Sequence, residues 1–397
     1  MTSRPNTTDV IIIGAGAAGL MCAIEAGKRG RTVLVLDHAN KAGKKILMSG
    51  GGRCNFTNTD ISPDNFISHN PHFCKSALSR YTQWDFIALV ERHKIAYHER
   101  DLGKLFCNIS AKDILNMLLD ECEQAQVTLQ LECRVDSVEK NSDGRFDIHS
   151  NQGHFTAGSL VIASGGLSIP KMCASPLGYQ LAEQFGHHIW PTSAGLVPFT
   201  LHTQDKASLA ELSGISVLSE VSNPRARFRE NILFTHRGLS GPAILQISSY
   251  WQPGEAVTVN LLPDMDLLGW LKEQHAARPN SKLKTALAEL LPRRLIPALL
   301  GAEVADTPLQ AFSHARLAAV AGQLQQWSLK PNGTEGYRTA EVTLGGVDCN
   351  ELSSRTMQSS KVDGLYFIGE VVDVTGWLGG YIFQWAWSSG WCAGQVV

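Results

Sequence analysis

The chain has no C-x-x-C pair. Its nine cysteines, at positions 22, 54, 74, 107, 122, 133, 173, 349 and 392, form an odd and scattered set. That excludes a disulfide framework and a zinc knuckle, and it points to a reducing compartment. Charge of one sign is also missing. Thirty-five Lys and Arg against 37 Asp and Glu leave a net charge of −2, so composition offers no chain-wide basic footprint for nucleic acid or an anionic membrane. No apolar run reaches the roughly 18 residues that a membrane helix needs. The best candidate, Val10 to Ala26, follows Arg4 in the manner of a secretory signal, but Glu25 interrupts it and glycines punctuate it. Internal repeats and low-complexity tracts are absent. The expectation is a soluble cytoplasmic protein with no membrane partner and no metal site. At 397 residues it is long enough for two or three domains.

What the sequence does have is glycine at defined places. Asp9 to Ile13 (DVIII) reads as a buried parallel strand, followed by G-A-G-A-A-G at Gly14, Gly16 and Gly19 and by the helical run LMCAIEAGKRG. Gly14 permits a tight turn, Gly16 lets a pyrophosphate approach the backbone, and Gly19 lets helix and strand close up, with the helix N-terminus toward the phosphates. A second strand, Thr32 to Leu36, ends at Asp37. Its carboxylate suits the ribose hydroxyls of a dinucleotide and disfavours a 2′-phosphate; the alternative is an exposed acid at a strand end.

The stretch GKKILMSGGGRCNFTN, Gly43 to Asn58, resembles neither helix nor strand. It stands where an FAD protein needs backbone to cradle ribitol and isoalloxazine beyond the pyrophosphate, and close approach accounts for Gly50 to Gly52. Two more clusters agree with a long cofactor. Ser159 to Ile169 (SLVIASGGLSI) is a strand running into a small-residue turn at Ser164 and Gly165. Gly364 to Gly390 contains a buried strand, Leu365 to Ile368, then Gly369-Glu370, then Gly379-Gly380 before a Trp-rich helix. Glu370 suits ribitol hydroxyls, and the helix start suits the pyrimidine edge of a flavin. Trp385, Trp387 and Trp391 read as core. No His or Cys stands in a covalent flavinylation context, so the FAD is expected to be non-covalent.

Together with LFTHRGLSGPA at Leu233 to Ala243 and the closing GEVVDVTGWLGGY, these stretches resemble the BaiN/RdsA-type NAD(P)/FAD-dependent oxidoreductase family, which includes the YhiN-like flavoproteins. The resemblance spans essentially the whole chain. It implies an α/β fold: a discontinuous glutathione-reductase-type FAD-binding Rossmann domain with an inserted domain that has a β-rich part and a helical part. The flavin contacts it implies are Gly14, Gly16, Ala17, Ala18, Asp37, Lys45, Ser49, Gly50, Arg53, Cys54, Asn55, Val135, Gly165, Gly369, Glu370, Gly380 and Tyr381. Val135 lies in CRVDSVEK, which resembles the strand whose backbone meets adenine. Two residues depart from the broad flavoprotein pattern: Asp37 stands where Glu is usual, and Glu370 where Asp is usual. Glu370 and TLGGVD at Thr343 to Asp348 resemble fumarate-reductase-like flavoproteins instead.

The FAD-binding domain is expected over 1–193 and 338–397, and the insert over 194–337. Within the insert, 194–262 and 327–337 form the β-rich part and 263–326 the helical part. Leu196 to Leu201, Ile215 to Val221 and Ala256 to Leu261 read as strands. Leu267 to Leu300 and Leu309 to Trp327 read as amphipathic helices punctuated by Pro279, Pro292, Pro297 and Pro308. Ser240-Gly241-Pro242 is a good helix start. The insert is expected to cover the flavin, since ligands sit where such domains meet.

For chemistry, His236 is a candidate proton donor or a plain loop histidine, and Arg53, Arg237 and Arg338 are candidate anion binders. Cys54 is either redox-active or fitted to the backbone turn. The expected function is a flavoenzyme in which NAD(P)H reduces FAD and a small organic acceptor, an activated C=C or a carbonyl, takes the hydride. Nucleic acid is not expected as a partner, and oligomeric state is left open. Three other readings stand beside it: an oxidase passing electrons from an amine to oxygen, an RNA-modifying flavoprotein, and a non-catalytic FAD-binding sensor. Only one G-x-G-x-x-G occurs, so nicotinamide and acceptor are expected to use one cleft in turn.

Overall fold

The structure, a computed structural model, describes residues 6–397. The chain divides into two compact units, one formed by residues up to Ser193 together with Val342–Val397 and the other by Ala194–Glu341.

The first unit is built on a seven-stranded sheet. Its main path runs Thr128–Gln130, Val33–Leu36, Asn6–Ile13, Gly153–Ile162, Phe146–Ser150 and Val135–Lys140, and Leu365–Phe367 also pairs with Gly153–Ile162. Val10, Ile11 and Ile12 are each 0% exposed, as a parallel strand covered on both faces requires. The inner pairings are parallel, whereas Phe146–Ser150 and Val135–Lys140 continue the sheet antiparallel. The register puts Ile13 level with both Leu36 and Ile162, and Ile162 level with Phe367. Four strands therefore end at one edge.

The helix Ala17–Lys28 follows the first strand, and the helix Tyr381–Gly394 lies against it. Small residues permit that contact: a Cβ on Gly390 would come within 2.5 Å of the Ala18 carbonyl oxygen, and one on Gly394 within 2.8 Å of that of Cys22. Trp385 and Trp387 are buried core residues, and Trp391, partly buried, stacks on Tyr81.

The stretch from Gly43 to Asn58 has more regular structure than its composition suggests. Gly43 turns at φ 63, and helical dihedrals hold from Lys44 until Ser49, through good helix formers that bury Ile46. Gly50, Gly51 and Gly52 then follow at φ 56, 65 and 84, a left-handed run that only glycine adopts without strain. Asn55–Asn58 emerges as a strand paired with the hairpin Tyr97–Arg100 and Lys104–Cys107.

The second unit holds a seven-stranded sheet in the order Trp327–Leu329, Val257–Asn260, Ser216–Ser222, Arg227–Phe234, Gly238–Ser240, Phe199–Thr200 and Gly333–Thr334. The strand expected over Leu196 to Leu201 shrinks to Phe199–Thr200, after Pro198, which has no N–H for a ladder. Arg227–Phe234 was not expected. Its buried residues, Phe228, Ile232 and Phe234, are separated by Arg229, Glu230 and Asn231, which hide the alternation. The helical stretches break near their prolines into Leu267–Ala277, Leu283–Leu287, Leu295–Leu300, Ala302–Asp306 and His314–Gln325. No helix among the described residues is long and apolar enough to cross a membrane.

Candidate functional site

Parallel strands that end together bring their following loops together, and ligands of open α/β sheets bind at that edge. Here the loops are Gly14 to Gly16, Asp37, Ala163 to Gly166, and Ile368 to Glu370. Gly14 sits at φ 118, and a Cβ on it would lie 2.3 Å from the Ala163 carbonyl oxygen; one on Gly19 would lie 1.9 Å from the Gly14 carbonyl oxygen. These two glycines are required by the protein's own packing. Gly16 differs, since a Cβ there would meet nothing within 4 Å and its φ is ordinary. Its openness is what a phosphate group approaching the backbone needs.

Asp37 braces this turn. One carboxylate oxygen accepts from the Ala15 amide at 2.7 Å and the other from the Ala39 amide at 2.8 Å. A carboxylate has about four acceptor positions, so it retains capacity for a hydroxyl pair. Val135 lies at the start of its strand and is buried.

Glu370 anchors a second group. Its carboxylate accepts from the Lys45 ammonium at 2.8 Å, the Thr343 amide at 2.9 Å and the Ser168 hydroxyl at 3.1 Å, and Lys45 also donates to Ser168 at 2.8 Å. Burial works to raise the Glu370 carboxyl. The charge of Lys45 and these hydrogen bonds outweigh it and hold the pKa below the ordinary carboxylate value. The carboxylate is thus ionised and fixed, with side chain 13% exposed. Ser168 and Thr343 belong to this group; both lie in stretches singled out above, 159–169 and 343–348, but neither was itself a candidate, since Ser168 looks like any serine after a glycine turn. Gly165 and Gly369 both turn at φ 71 beside them.

The third cluster joins Gly50 to Gly52 with Gly379 and Gly380. Asn55, with its amide oriented to satisfy both ends, donates to the carbonyls of Leu105 and Thr57 and accepts from the Gly380 amide at 3.2 Å. Asn58 donates to the Gly379 carbonyl at 2.9 Å. A Cβ on Gly380 would strike the Thr57 carbonyl oxygen at 2.3 Å, while Gly51 and Gly52 have no atom within 4 Å of theirs. Tyr381 begins the last helix, and the Trp385 indole donates to the Gly369 carbonyl at 3.0 Å. Ser49 turns inward, donating to the Ile46 carbonyl at 2.7 Å. Arg53 is exposed. Cys54 is 0% exposed, and its thiol is pushed up to about 12, chiefly by burial; it stays protonated at neutral pH, which suits backbone fitting and makes it a poor nucleophile.

The open backbone at Gly16, Gly51 and Gly52, the acid after the second strand and the fixed carboxylate at Glu370 fit an elongated dinucleotide. The comparisons with known proteins agree. The model of the HI0933-like protein Rossmann domain matches residues 8–396. The chain belongs to that family. It is 58% identical over 390 residues to the ribosomal RNA dihydrouridine synthase of Escherichia coli (strain K12), covering 98% of this chain and 97% of that protein. It is 29% identical over 419 residues to the 3-dehydro-bile acid delta(4,6)-reductase of Clostridium scindens, covering 97% and 98%. In fold it is similar to the 3-ketosteroid-delta4-(5alpha)-dehydrogenase of Rhodococcus jostii RHA1, with a TM-score of 0.51, 13% identity, and 99% and 98% of the two chains covered. The BaiN/RdsA-type affiliation and the Rossmann-type FAD-binding fold expected from the sequence stand, and the chain is an FAD-dependent oxidoreductase.

The remaining candidates of this HI0933-like flavoprotein lie on the second unit. His236 is exposed on the turn between Arg227–Phe234 and Gly238–Ser240. Arg237 pairs with Glu335 at 3.1 Å, and Arg338 lies 4.0 Å from the same carboxylate. The Ser240-Gly241-Pro242 signal does start a helix, Pro242–Ser248, but a short one. A Cβ on Gly241 would strike the Asn231 carbonyl oxygen at 2.7 Å, so this glycine serves packing.

One group in the first unit escaped the sequence entirely. The buried Asp373 accepts from both the amide and the ring Nδ1 of His69, at 2.8 and 2.9 Å, and the His69 ring lies flat on Trp190 at 3.7 Å. A backing carboxylate of this kind fixes tautomer and ring orientation. No spacing in the sequence relates residues 69, 190 and 373.

Proposed function

We propose that this flavoprotein holds FAD along the edge where the four strands end and reduces the C5–C6 double bond of a uridine in ribosomal RNA, with NAD(P)H as reductant. The observation that carries this reading is the end-to-end 58% identity with the Escherichia coli ribosomal RNA dihydrouridine synthase. The net reaction consumes NAD(P)H and one proton, adds two hydrogens across the uracil double bond, and releases NAD(P)+. That bond is conjugated to the C4 carbonyl, so it belongs to the activated C=C class expected from the sequence. The RNA setting takes the place of a small free acceptor and of the expectation that nucleic acid has no part.

Bound FAD supplies the hydride chemistry. The chain supplies its binding and orientation. Gly14, Gly16, Ala17, Ala18 and Gly19 shape the pyrophosphate turn, Asp37 takes the ribose, and the Val135 backbone takes adenine. Ser164 and Gly165 line the middle. Glu370, held by Lys45, receives ribitol hydroxyls on its unused lone pairs. Ser49, Gly50, Cys54, Asn55, Gly379, Gly380 and Tyr381 would hold the ring system, and Arg53 would offer a nearby cation.

The test uses the purified protein with FAD, NADH or NADPH, and in vitro transcribed, unmodified ribosomal RNA. The expected result is a mass gain of two hydrogens at one uridine. Steady-state lines for NAD(P)H at several RNA concentrations should be parallel, because one dinucleotide fingerprint implies sequential use of one site. NAD(P)H oxidation without any uridine reduction overturns the reading, as does peroxide release with amines. A second reading, reduction of a small conjugated ketone, is favoured by the 29% identity with the Clostridium scindens reductase; it would show as NAD(P)H-dependent turnover of a steroid enone.

A further inference from the structure

The hairpin Tyr97–Arg100 and Lys104–Cys107 closes on a three-residue turn, Asp101–Gly103. At its centre is Leu102, with φ 63 and ψ 34, a left-handed conformation that bulky side chains avoid. Leu102 is also 61% exposed. Glycine or asparagine would relieve the strain, and a polar side chain would suit the exposure.

The turn is held in place by the candidate site. The Asn58 side chain donates to the carbonyls of both Leu102 and Gly379, at 2.9 Å each. His98, Arg100, Lys104 and Phe106 share one face of the hairpin, since His98 pairs with Phe106 and Arg100 with Lys104. The Arg100 guanidinium lies 4.4 Å over the Phe106 ring, and His98 stacks on that ring with centroids 6.1 Å apart. This face fronts both glycine clusters: a Cβ on Gly50 would lie 2.9 Å from the Phe106 ring, and one on Gly379 would lie 3.0 Å from the Lys104 chain. The hairpin's acids, Glu99 and Asp101, lie on the opposite face and in the turn. Beside it, the Ala111 amide donates to the Gly52 carbonyl at 2.7 Å and the Cys107 amide to the Arg53 carbonyl at 2.9 Å, and between them in sequence Ile109 is 80% exposed.

We infer that this hairpin is the docking element for a structured RNA strand, with Leu102 as an apolar wedge that fills the gap left when the target uridine leaves its stack. The inference rests on the RNA reading above. A base inside a folded RNA cannot reach a cofactor held among backbone loops unless it is extruded, and extrusion costs stacking that an inserted apolar side chain offsets. Arg100 and Lys104 place positive charge along the same face, where the flanking phosphates would run, and the His98 ring nitrogen accepts from the Arg100 guanidinium at 3.1 Å. A strained, exposed leucine at the tip of a cationic hairpin tied to the candidate flavin site meets those requirements.

Leu102→Gly tests it, because glycine suits the backbone and removes only the wedge. Full-length wild type and variant, loaded with FAD, are assayed with NADPH on unmodified transcribed ribosomal RNA and on unstructured oligouridylate. The expected result is at least a tenfold loss of kcat/KM on the folded RNA, less than a twofold change on oligouridylate, and a Tm equal to or above wild type. By fluorescence anisotropy, Arg100→Ala should lower the slope of log Kd against log salt for the ribosomal RNA by about one. An unimpaired Leu102→Gly, or equal loss on both RNAs, overturns the inference while leaving the functional reading intact. A change of sedimentation in Leu102→Gly with RNA activity preserved would assign the hairpin to a contact between copies of the chain and overturn it too. Wild-type protein that reduces no uridine in either RNA overturns the reading and the inference together.

Discussion

The Lys45 ammonium lies 2.8 Å from a carboxylate oxygen of Glu370, 325 positions further along the chain. The pair stitches the glycine-rich segment to the loop after the last parallel strand. Lys45→Met leaves the Glu370 carboxylate buried without its cation. Discounting for the partial exposure of Lys45, the expected destabilisation is about 2 kcal/mol. Lys45→Met/Glu370→Gln should recover at least half of it in denaturant unfolding. If the double variant is no better than the sum of the singles, the two residues are not coupled.

The glycines of the first turn separate structural need from cofactor need. Gly16→Ala meets nothing within 4 Å, so the apoprotein should unfold within about 0.5 kcal/mol of wild type, while FAD affinity falls at least tenfold. Gly14→Ala must place a Cβ 2.3 Å from a carbonyl oxygen at φ 118, and it should lose folded yield whether or not FAD is supplied. Flavin fluorescence titration beside apoprotein melting distinguishes the two; unchanged FAD affinity in Gly16→Ala would contradict the assigned pyrophosphate position.

Glu121 predicts an acid limit to stability. Its carboxylate lies 2.9 Å from Lys28, 2.9 Å from Arg92 and 2.8 Å from His93. Burial raises this carboxyl, but hydrogen bonds from His93 and Lys28 and the nearby charges prevail, holding it at about 2 against an ordinary 4.5. A depressed folded-state pKa stabilises the protein fully above the unfolded value, and that contribution is lost as pH falls from 4.5 toward 2. Glu121→Gln should therefore be less stable than wild type at pH 7, by on the order of 2 kcal/mol, with the difference shrinking below pH 4.5. A gap that stays constant with pH would remove Glu121 as its source.

The parts of the fold that follow from local chemistry were legible in the sequence. The apolar run before Gly14 and the spacing of Gly14, Gly16 and Gly19 read directly as strand, turn and helix, because each residue's need is met by its immediate neighbours. Leu365 to Ile368 and the glycine pair at Gly379 were legible for the same reason. The strand Arg227–Phe234 was not, since charges between its buried positions mask the period of two. Nor was the helix from Lys44, hidden beside three glycines. Contacts across the chain left no trace at all: Ser168 meets Lys45 and Glu370, and His69 meets Asp373, only because the topology folds distant loops onto one another.

The two helices that close on each other through Gly390 and Ala18 also set a timetable. During synthesis, Ala17–Lys28 leaves the ribosome more than 350 residues before Tyr381–Gly394, so its apolar flank waits, uncovered by its final partner, while the whole second unit is made. Glu370, Gly380 and the Trp385 indole arrive in that same late stretch. A nascent chain can therefore form its first phosphate turn early, while the residues proposed to complete an FAD site arrive only with this later stretch. On the FAD placement proposed above, cofactor capture would come late in folding, after both helices are in place.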